Sequence, residues 1–241
     1  MVRVIKYFIL CCVPILFSCS GQYNIVGDTS APLMDGRMLY LNTQSLKDNM
    51  RSLDSCEIIH GRFKFEGMVD SAMMGMLYMD NHCLMPVVIE NAEISVKINE
   101  AEQKVIGGPL NNRMYKFLEE QYRLQNEITE LTNQEAKMIL SGKKHNHRFQ
   151  NKSTMLYNKL ERLETEFIQA NYDNVLGYTF FILLCDKYNY PIMTTQIEEI
   201  WDNAPLKFRN REFVSDYIEA ARANMQLFRK ANVSVLRGAM H

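Results

Sequence analysis

The hydrophobic pattern of this chain changes once, at Gly107-Gly108-Pro109, and that change divides the sequence into two parts. Before it, short runs alternate between apolar and polar residues, most clearly in the Arg-Phe-Lys-Phe-Glu-Gly sequence at 62–67. Such a period of two is typical of a strand with one buried face. After Pro109 the apolar residues recur at helical spacing. The sequence therefore predicts an α+β protein with a β domain at 19–108 and a helical region at 109–230.

The β domain is predicted to contain about eight short strands separated by turn residues. Strands of this number and spacing are typical of a small antiparallel β-sandwich or barrel. We expect Gly61 to lie at the tip of a hairpin and Asn91-Ala92 to make a tight connection. The predicted strands cover residues 23–27, 37–41, 55–60, 62–69, 74–79, 84–89, 93–98 and 103–106.

The helical region is predicted to begin with two amphipathic helices that form an antiparallel hairpin. A third helix, at 175–188, is apolar nearly all round and is therefore predicted to be buried. Thr194 or Thr195 is expected to cap a short helix with Glu198 in a capping box. A further amphipathic helix is predicted at 211–228, and residues 231–241 are expected to fray. The two hairpin stripes are Met114, Phe117, Leu118, Tyr122, Gln125, Ile128 and Leu131, and Leu156, Leu160, Leu163, Phe167 and Ile168.

The first nineteen residues have the pattern of a bacterial lipoprotein leader. Arg3 and Lys6 precede an apolar run at 7–17, and Leu16-Phe17-Ser18-Cys19 resembles a lipobox. An uncleaved membrane anchor is disfavoured, because a spanning helix needs about 20 apolar residues. A plain secreted protein is the other alternative. We expect a signal peptide at 1–18, lipidation at Cys19 and attachment to a membrane through that lipid.

The charge argues against a nucleic-acid-binding protein, and the cysteine pattern argues against a thioredoxin-type redox site. The chain has 27 basic and 28 acidic residues, so it lacks the excess of positive charge that nucleic-acid binding needs. Beyond Cys19 the cysteines are Cys56, Cys83 and Cys185, and no C-x-x-C motif occurs. Either Cys56 and Cys83 form one disulfide, or all three are free thiols that act as small apolar residues.

Several turn-and-strand motifs resemble a known family. These motifs are Asp35-Gly36-Arg37-Met38-Leu39-Tyr40-Leu41, Asp54-Ser55 with Gly61-Arg62-Phe63-Lys64-Phe65-Glu66-Gly67, Pro86-Val87-Val88-Ile89-Glu90-Asn91, and Gly108-Pro109-Leu110-Asn111. They resemble the uncharacterised N-terminal β domain of Bacteroidetes-type envelope lipoproteins, which often precedes a thioredoxin-like domain of the thiol–disulfide interchange type. Asn174 and Gly177-Tyr178 resemble the helical stretch that links the two. The resemblance covers roughly residues 23–190.

The resemblance implies a role beside periplasmic thiol–disulfide systems, with a thioredoxin-like envelope protein as partner. The sequence ends at His241 without the redox domain, so we expect this chain to keep only the accessory part. We therefore predict a non-catalytic, lipid-anchored protein-interaction module. The alternative is a glycan- or peptide-binding lipoprotein, which exposed aromatic residues on one sheet face would favour. Tyr23, Tyr40 and Tyr78 are the candidates for such a face, although all three are equally compatible with the core.

No group of residues in the sequence predicts catalysis, a cofactor or a metal site. His145 and His147 fall short of the three or four ligands that zinc needs. A methionine-rich stretch contains soft ligands for copper, yet neighbouring strand residues face opposite ways. Core filling explains these methionines better. The stretch contains Met68, Met73, Met74, Met76, Met79 and Met85, with His82 and Cys83.

The residues after Cys19 refine the expected location within the cell envelope. No aspartate follows Cys19, so an inner-membrane retention signal is not indicated. Ser20-Gly21-Gln22 also lacks the acidic cluster that resembles a surface-export signal. We expect an outer-membrane lipoprotein that faces the periplasm.

Overall fold

The computed structural model describes residues 21–30, 34–43, 51–99, 103–142 and 147–238, with the backbone alone at 147–148 and 230–238. Over these residues the chain forms eight strands followed by six helices. The predicted α+β fold is confirmed. The predicted signal peptide and Cys19 lie outside the described residues.

Two four-stranded sheets make up the β domain. The first sheet has the order β4-β1-β7-β8 and the second has the order β3-β2-β5-β6. Every neighbouring pair is antiparallel except β1 and β7, which run parallel. The strands are β1 (Gly21–Thr29), β2 (Met38–Thr43), β3 (Arg51–Glu57), β4 (Arg62–Val69), β5 (Met73–Met79), β6 (His82–Ile89), β7 (Glu93–Ile98) and β8 (Gln103–Ile106).

The two sheets pack against each other through one shared core, which is why buried and exposed residues alternate along the strands. Ile25 and Phe65 of the first sheet join Leu41 and Leu77 of the second sheet in the same buried cluster. All four side chains are almost completely buried. Because alternate residues of a strand face opposite sides, their neighbours point away from this core.

One predicted connection differs from the structure, and a second is confirmed but links the two sheets. β3 covers Arg51–Glu57 rather than 55–60. Gly61 lies in a tight turn closed by hydrogen bonds between Ile59 and Arg62, but beyond that turn β3 and β4 enter different sheets. The connection at Asn91-Ala92 likewise joins the second sheet to the first. An alternating pattern fixes which face of a strand is buried, and it does not specify the neighbouring strand.

The helical region starts at Pro109, where the change of period predicts it. α1 and α2 form the predicted antiparallel hairpin, with Gln121 beside Glu164 and Leu131 in one cluster with Leu156. α6 continues through Gly238, into the segment expected to fray. The helices are α1 (Pro109–Leu140), α2 (His147–Gln169), α3 (Val175–Cys185), α4 (Thr195–Asn203), α5 (Leu206–Arg209) and α6 (Glu212–Gly238).

The buried stripe of α1 is shifted from the prediction. Leu124 is fully buried, whereas Tyr122 is 59% exposed and Gln125 is also exposed. From Met114 the positions that face the seam alternate between spacings of three and four residues, as packing against a second helix requires, and Leu124 belongs to that series. These positions are Met114, Phe117, Gln121, Leu124, Ile128 and Leu131. The stripe of α2 is as predicted.

The shorter helices show two further differences. α3 is not buried all round, because Leu183 is 51% exposed. Thr194 caps α4 by accepting a hydrogen bond from the Ile197 amide. A capping box needs Glu or Gln at the third helical position, and with Thr194 as the cap that position is Ile197. The capping box predicted with Glu198 therefore does not form around Thr194.

Candidate binding groove

The outer face of the second sheet carries two of the methionines that the sequence singled out, Met74 and Met76. Along β5, Gly75 and Leu77 are buried toward the sandwich core, while Met74 and Met76 are half-buried on the opposite side. Met73 and Met79 pack against the core cluster. The predicted division of these methionines between two faces is confirmed, with Met74 and Met76 on the outer face of β5.

Part of that outer face is closed by an apolar contact with α1, α2 and α3. Val88 of β6 is fully buried in a cluster with Met114 and Leu176. Beside it, Phe117 and Phe167 stack with ring centroids 4.0 Å apart, and Phe180 meets both rings edge-on at 5.0 Å. These ring geometries are the favourable ones for aromatic packing. α1 is thus held closely over β6.

A buried polar contact fixes the start of α1 on the same strand, and we call it the Glu90–Asn111 junction. The Asn111 side chain accepts a hydrogen bond from the Val88 amide at 2.8 Å and donates to the Val88 carbonyl at 2.7 Å. It therefore satisfies the backbone of an edge strand as a neighbouring strand would. The Glu90 carboxylate accepts hydrogen bonds from the Leu110 and Asn111 amides, which lack partners within the helix. Negative charge at a helix N-terminus is favourable.

Gly108 is required at this junction for two reasons. Its φ of +76° lies in the left-handed region. A Cβ at this position would also lie 2.3 Å from the Glu90 Oε1 atom. Gly108-Pro109-Leu110-Asn111 and the segment ending at Glu90 are two of the motifs that carry the family resemblance. The structure shows that these motifs are in contact and gives them a structural role.

A second set of polar contacts positions α3. Arg113 donates to Asn171 Oδ1 at 2.8 Å, and Asn171 is fully buried at the end of α2. Asn174 caps α3 by accepting a hydrogen bond from the Leu176 amide at 2.9 Å. A Cβ at Gly177 would lie 2.3 Å from the Asn171 carbonyl oxygen, so only glycine lets α3 approach so closely. The linking motif at 174–178 therefore sets the position of α3 against α1 and α2.

Between β5 and α3 the helices do not close onto the sheet, and an open groove of about 740 Å³ remains. This volume is within the usual range for ligand-binding clefts. We call it the binding groove. Its lining is mostly apolar and includes Thr43, Arg51, Ala72, Met73, Met74, Met76, Pro86, Phe117, Leu118, Gln121, Glu164, Ile168, Val175, Tyr178, Thr179, Phe180, Ile182, Leu183, Leu184, Asp186 and Lys187.

One end of the binding groove is polar. The Lys187 ammonium lies 2.7 Å from both oxygens of the Glu164 carboxylate, and Gln121 donates to the same carboxylate at 2.9 Å. The Glu164 side chain is only 8% exposed, whereas that of Lys187 is 48% exposed. Because the charges are paired, this end is polar without a free buried charge. Such an arrangement suits binding rather than proton transfer.

Sequence reasoning missed the binding groove, although two signals pointed toward it. The apolar character of α3 on all sides was interpreted as full burial, yet its Ile182 and Leu183 side line the groove. The clustered methionines were interpreted as core filling, and Met74 and Met76 instead form the opposite wall. An apolar residue on a helix has the same sequence signal whether it packs against a neighbour or lines a groove.

Cys56, Cys83 and Cys185, the cysteines within the described residues, are free thiols. Cys56 lies on β3 and Cys83 lies on β6, the two opposite edges of the second sheet. Three strand spacings separate them by roughly 14 Å, whereas a disulfide needs Cα atoms within about 7 Å. The alternative of free cysteines is therefore the one observed. Burial raises the pKa of the Cys185 thiol well above its usual value, which makes that thiol unreactive.

The other residues considered from the sequence are divided among several places. Tyr23 is buried in the core, whereas Tyr40 and Tyr78 lie opposite each other on the outer face of the second sheet. His145 lies outside the described residues, and His147 begins α2. Among the residues that the structure describes, no group of three or more His, Cys, Asp or Glu is placed to hold a metal ion. None of the described helices is long and apolar enough to cross a membrane.

Searches of curated proteins and of solved structures found no match to this chain. A comparison with protein-family models did find one. The matched range begins within β1 and ends three residues after Asn111, so it includes both sides of the Glu90–Asn111 junction. It agrees with the resemblance to an uncharacterised β domain that the motifs predict. The matching model is that of a domain of unknown function (DUF4369), and it covers residues 23–114.

Proposed function

We propose that this protein is a non-catalytic, lipid-anchored envelope protein that works by binding an apolar chain in the binding groove. The observation that carries the proposal is the groove itself, an open apolar cleft of about 740 Å³ with one ion-paired end. Clefts of this size with a few placed polar groups are the usual form of a ligand site. Two methionines in one wall favour a ligand of irregular shape, because their side chains adapt readily.

The proposal includes the cellular setting. A lipid on Cys19 would hold the body at a membrane, and the leader pattern at 1–19 supports that assignment. We place the protein at the outer membrane, facing the periplasm. Cys19→Ala is expected to move the protein from the membrane fraction to the soluble envelope fraction. Proteinase added to intact cells should leave the wild-type protein uncut, and cleavage would contradict the periplasmic orientation.

The proposal also includes an accessory role beside thiol–disulfide systems, with a thioredoxin-like envelope protein as partner. Its support is the resemblance of the motifs at 35–41, 54–55 with 61–67, 86–91 and 108–111 to domains that often precede thioredoxin-like domains. The body itself has no C-x-x-C, so any redox chemistry would belong to the partner. Purification of the tagged, lipidated protein from solubilised envelopes should enrich such a partner over the Cys19→Ala variant. Absence of every oxidoreductase would remove this part of the proposal.

The groove is tested with one pair of matched variants. Leu183→Trp enlarges a half-exposed side chain in the groove wall, and Leu227→Trp makes the same change at a half-exposed position on α6 outside the groove. Bound molecules are identified by mass spectrometry after purification of each variant. A protein or lipid that is retained by wild type and Leu227→Trp and lost from Leu183→Trp supports the proposal. Equal recovery of all bound molecules in the three proteins would contradict it.

A second candidate function rests on the tyrosine pair of the second sheet. Tyr40 is 38% exposed, and Tyr78 is its direct cross-strand neighbour. Exposed aromatic rings on a sheet face suit a glycan or a peptide, the alternative predicted from the sequence. Binding to a glycan or peptide array that is lost in Tyr40→Ala and kept in Leu183→Trp would favour this face. Loss in Leu183→Trp alone would favour the groove.

A further inference from the structure

One end of the binding groove is connected, through a strand pairing and a short run of residues, to the point where the chain leaves its predicted lipid. Gly21, the first residue of β1, follows Cys19 by two residues, which span at most about 7 Å. Gly21 pairs with Val69 at the end of β4, and the next three residues lead to Met73 at the start of β5. Ala72 and Met73 line the groove. We call this part of the groove, together with Met74 and Val175, the anchor-side end.

The polar end of the groove lies away from the anchor-side end. Val175 follows directly on the Asn171–Asn174 turn, and Asn171 is hydrogen-bonded to Arg113 near the start of α1. Gln121, at the polar end, is eight residues further along α1, which corresponds to roughly 12 Å. The groove is therefore apolar where it would meet a membrane and polar further from it.

The walls of the groove favour a hydrocarbon over a polypeptide. β5 is an internal strand between β2 and β6, so its backbone groups are already paired. The backbone of α3 is paired within the helix. A peptide placed here would bury its own amides and carbonyls with few partners, which is costly. A hydrocarbon chain has no such groups to satisfy, and flexible Met74 and Met76 side chains fit its changing shape.

Arg51 supplies a matching charge near the anchor-side end. It lines the groove and is paired in register with Thr43, which in turn pairs with Gly75 of β5. A guanidinium group is well suited to a phosphate. An acyl chain in the groove would therefore have a cation near the place where a phospholipid headgroup would lie.

We propose that the binding groove holds an acyl chain of a membrane phospholipid, which enters at the anchor-side end with its phosphate near Arg51. This inference rests on the proposed function, since it names the ligand of the same groove and uses the lipid anchor at Cys19 to orient it. The membrane is the source of the chain. A soluble fatty acid, the protein's own lipid and an apolar peptide are outcomes that the test separates.

The test uses the lipidated full chain in vesicles of phosphatidylethanolamine and phosphatidylglycerol. A trace of phosphatidylcholine carries a photoreactive diazirine near the end of one acyl chain. After irradiation, labelled peptides are identified by mass spectrometry. We expect label within residues 73–76 and 179–183. Leu183→Trp and Met76→Trp, which fill the groove from opposite walls, should lower this label at least fivefold, and Leu227→Trp should leave it within twofold of wild type.

Because the photoreactive group is on a vesicle lipid, the protein's own lipid cannot give this signal. Label that stays equal in all four proteins, or that is confined to the residues next to Cys19, would overturn the inference. So would groove label that appears with a soluble photoreactive fatty acid and not with the vesicle lipid. A groove-dependent protein partner without lipid labelling would leave the proposed function intact and reject the acyl chain. Labelling that Arg51→Gln leaves unchanged would reject the phosphate contact.

Discussion

The helical region contacts the outer face of the second sheet in two places that differ in kind. Over β6 the contact is closed: the Glu90–Asn111 junction and the Phe117–Phe167–Phe180 group leave Val88 fully buried. Over β5 the contact is open, and the binding groove separates Met74 and Met76 from α3. The closed contact depends on hydrogen bonds and ring stacking that fix the positions of the side chains. The open contact is lined by side chains that tolerate many shapes.

This difference shows what the matched domain contributes. Both sides of the Glu90–Asn111 junction lie within residues 23–114, the range of the family model, whereas the Phe117–Phe167–Phe180 group lies beyond it. The open contact takes its second wall from α3, which is outside that range. The matched range therefore contains the attachment of the first helix and one wall of the groove, and the residues beyond it supply the other wall.

The largest effect is expected when the closed contact loses its asparagine. Asn111→Ala removes both hydrogen bonds to Val88 and leaves a buried amide and carbonyl without partners. We expect a loss of about 3 kcal/mol in the free energy of unfolding, since each unsatisfied buried group costs about 1–3 kcal/mol. Urea denaturation followed by circular dichroism measures it. Asn112→Ala is the control, because Asn112 makes one exposed hydrogen bond; an equal loss there would contradict a special role for Asn111.

The next prediction compares the stability lost at two glycines with positive φ, of which only Gly108 is in contact with Glu90. Gly108 and Gly142 have nearly the same φ, +76° and +74°, but a Cβ meets Glu90 at Gly108 and nothing within 4 Å at Gly142. Gly142→Ala should cost about 1 kcal/mol, the usual penalty for a left-handed residue. Gly108→Ala should cost about 2 kcal/mol more, because the ψ of 141° at Gly108 lies outside the left-handed helical region and Glu90 must move off the helix N-terminus. Thermal unfolding of both variants gives the comparison, and equal losses would remove Glu90 from the explanation.

The smallest effect concerns pH. Tyr115 donates a hydrogen bond to the Pro86 carbonyl within the closed contact, and burial raises the pKa of this phenol well above its ordinary value of 10.0. The unfolded chain therefore ionises first as pH rises above 10, and stability is lost over that range. Below pH 10 both states are protonated and the contribution is complete. Tyr115→Phe should unfold with a weaker dependence on pH between 9 and 11, measured as urea midpoints; an unchanged dependence would contradict it.

Much of the fold was predictable because its signals are local. The alternation in 62–67 and the change of period at Pro109 depend only on neighbouring residues, and both predictions are confirmed. The partner of each strand was not predictable in this way. Nothing around Gly61 indicates that β3 and β4 separate into different sheets, because the same alternation serves either arrangement.

The candidate site was harder to predict than the fold. Asn111 is a polar residue in an apolar stripe, and its role depends on the Val88 backbone 23 positions earlier. Leu183 looks like a core residue until the gap beside β5 is seen. The groove exists because β5 and α3 do not pack against each other, and the sequence of either element alone does not indicate this gap.

The pairing of β1 with both β4 and β7 has a consequence for the order in which the chain folds. Ile25 pairs with Phe65 on one side and with Ile94 on the other. The pairing of β1 is therefore complete only when residues 40 and 69 positions further along the chain are in place. Contacts of such long range form late, because the intervening chain must first be ordered. A chain that crosses the membrane N-terminus first would expose both edges of β1 throughout this interval, next to the lipid bilayer. The strand nearest the predicted anchor is thus the one in greatest need of protection during folding.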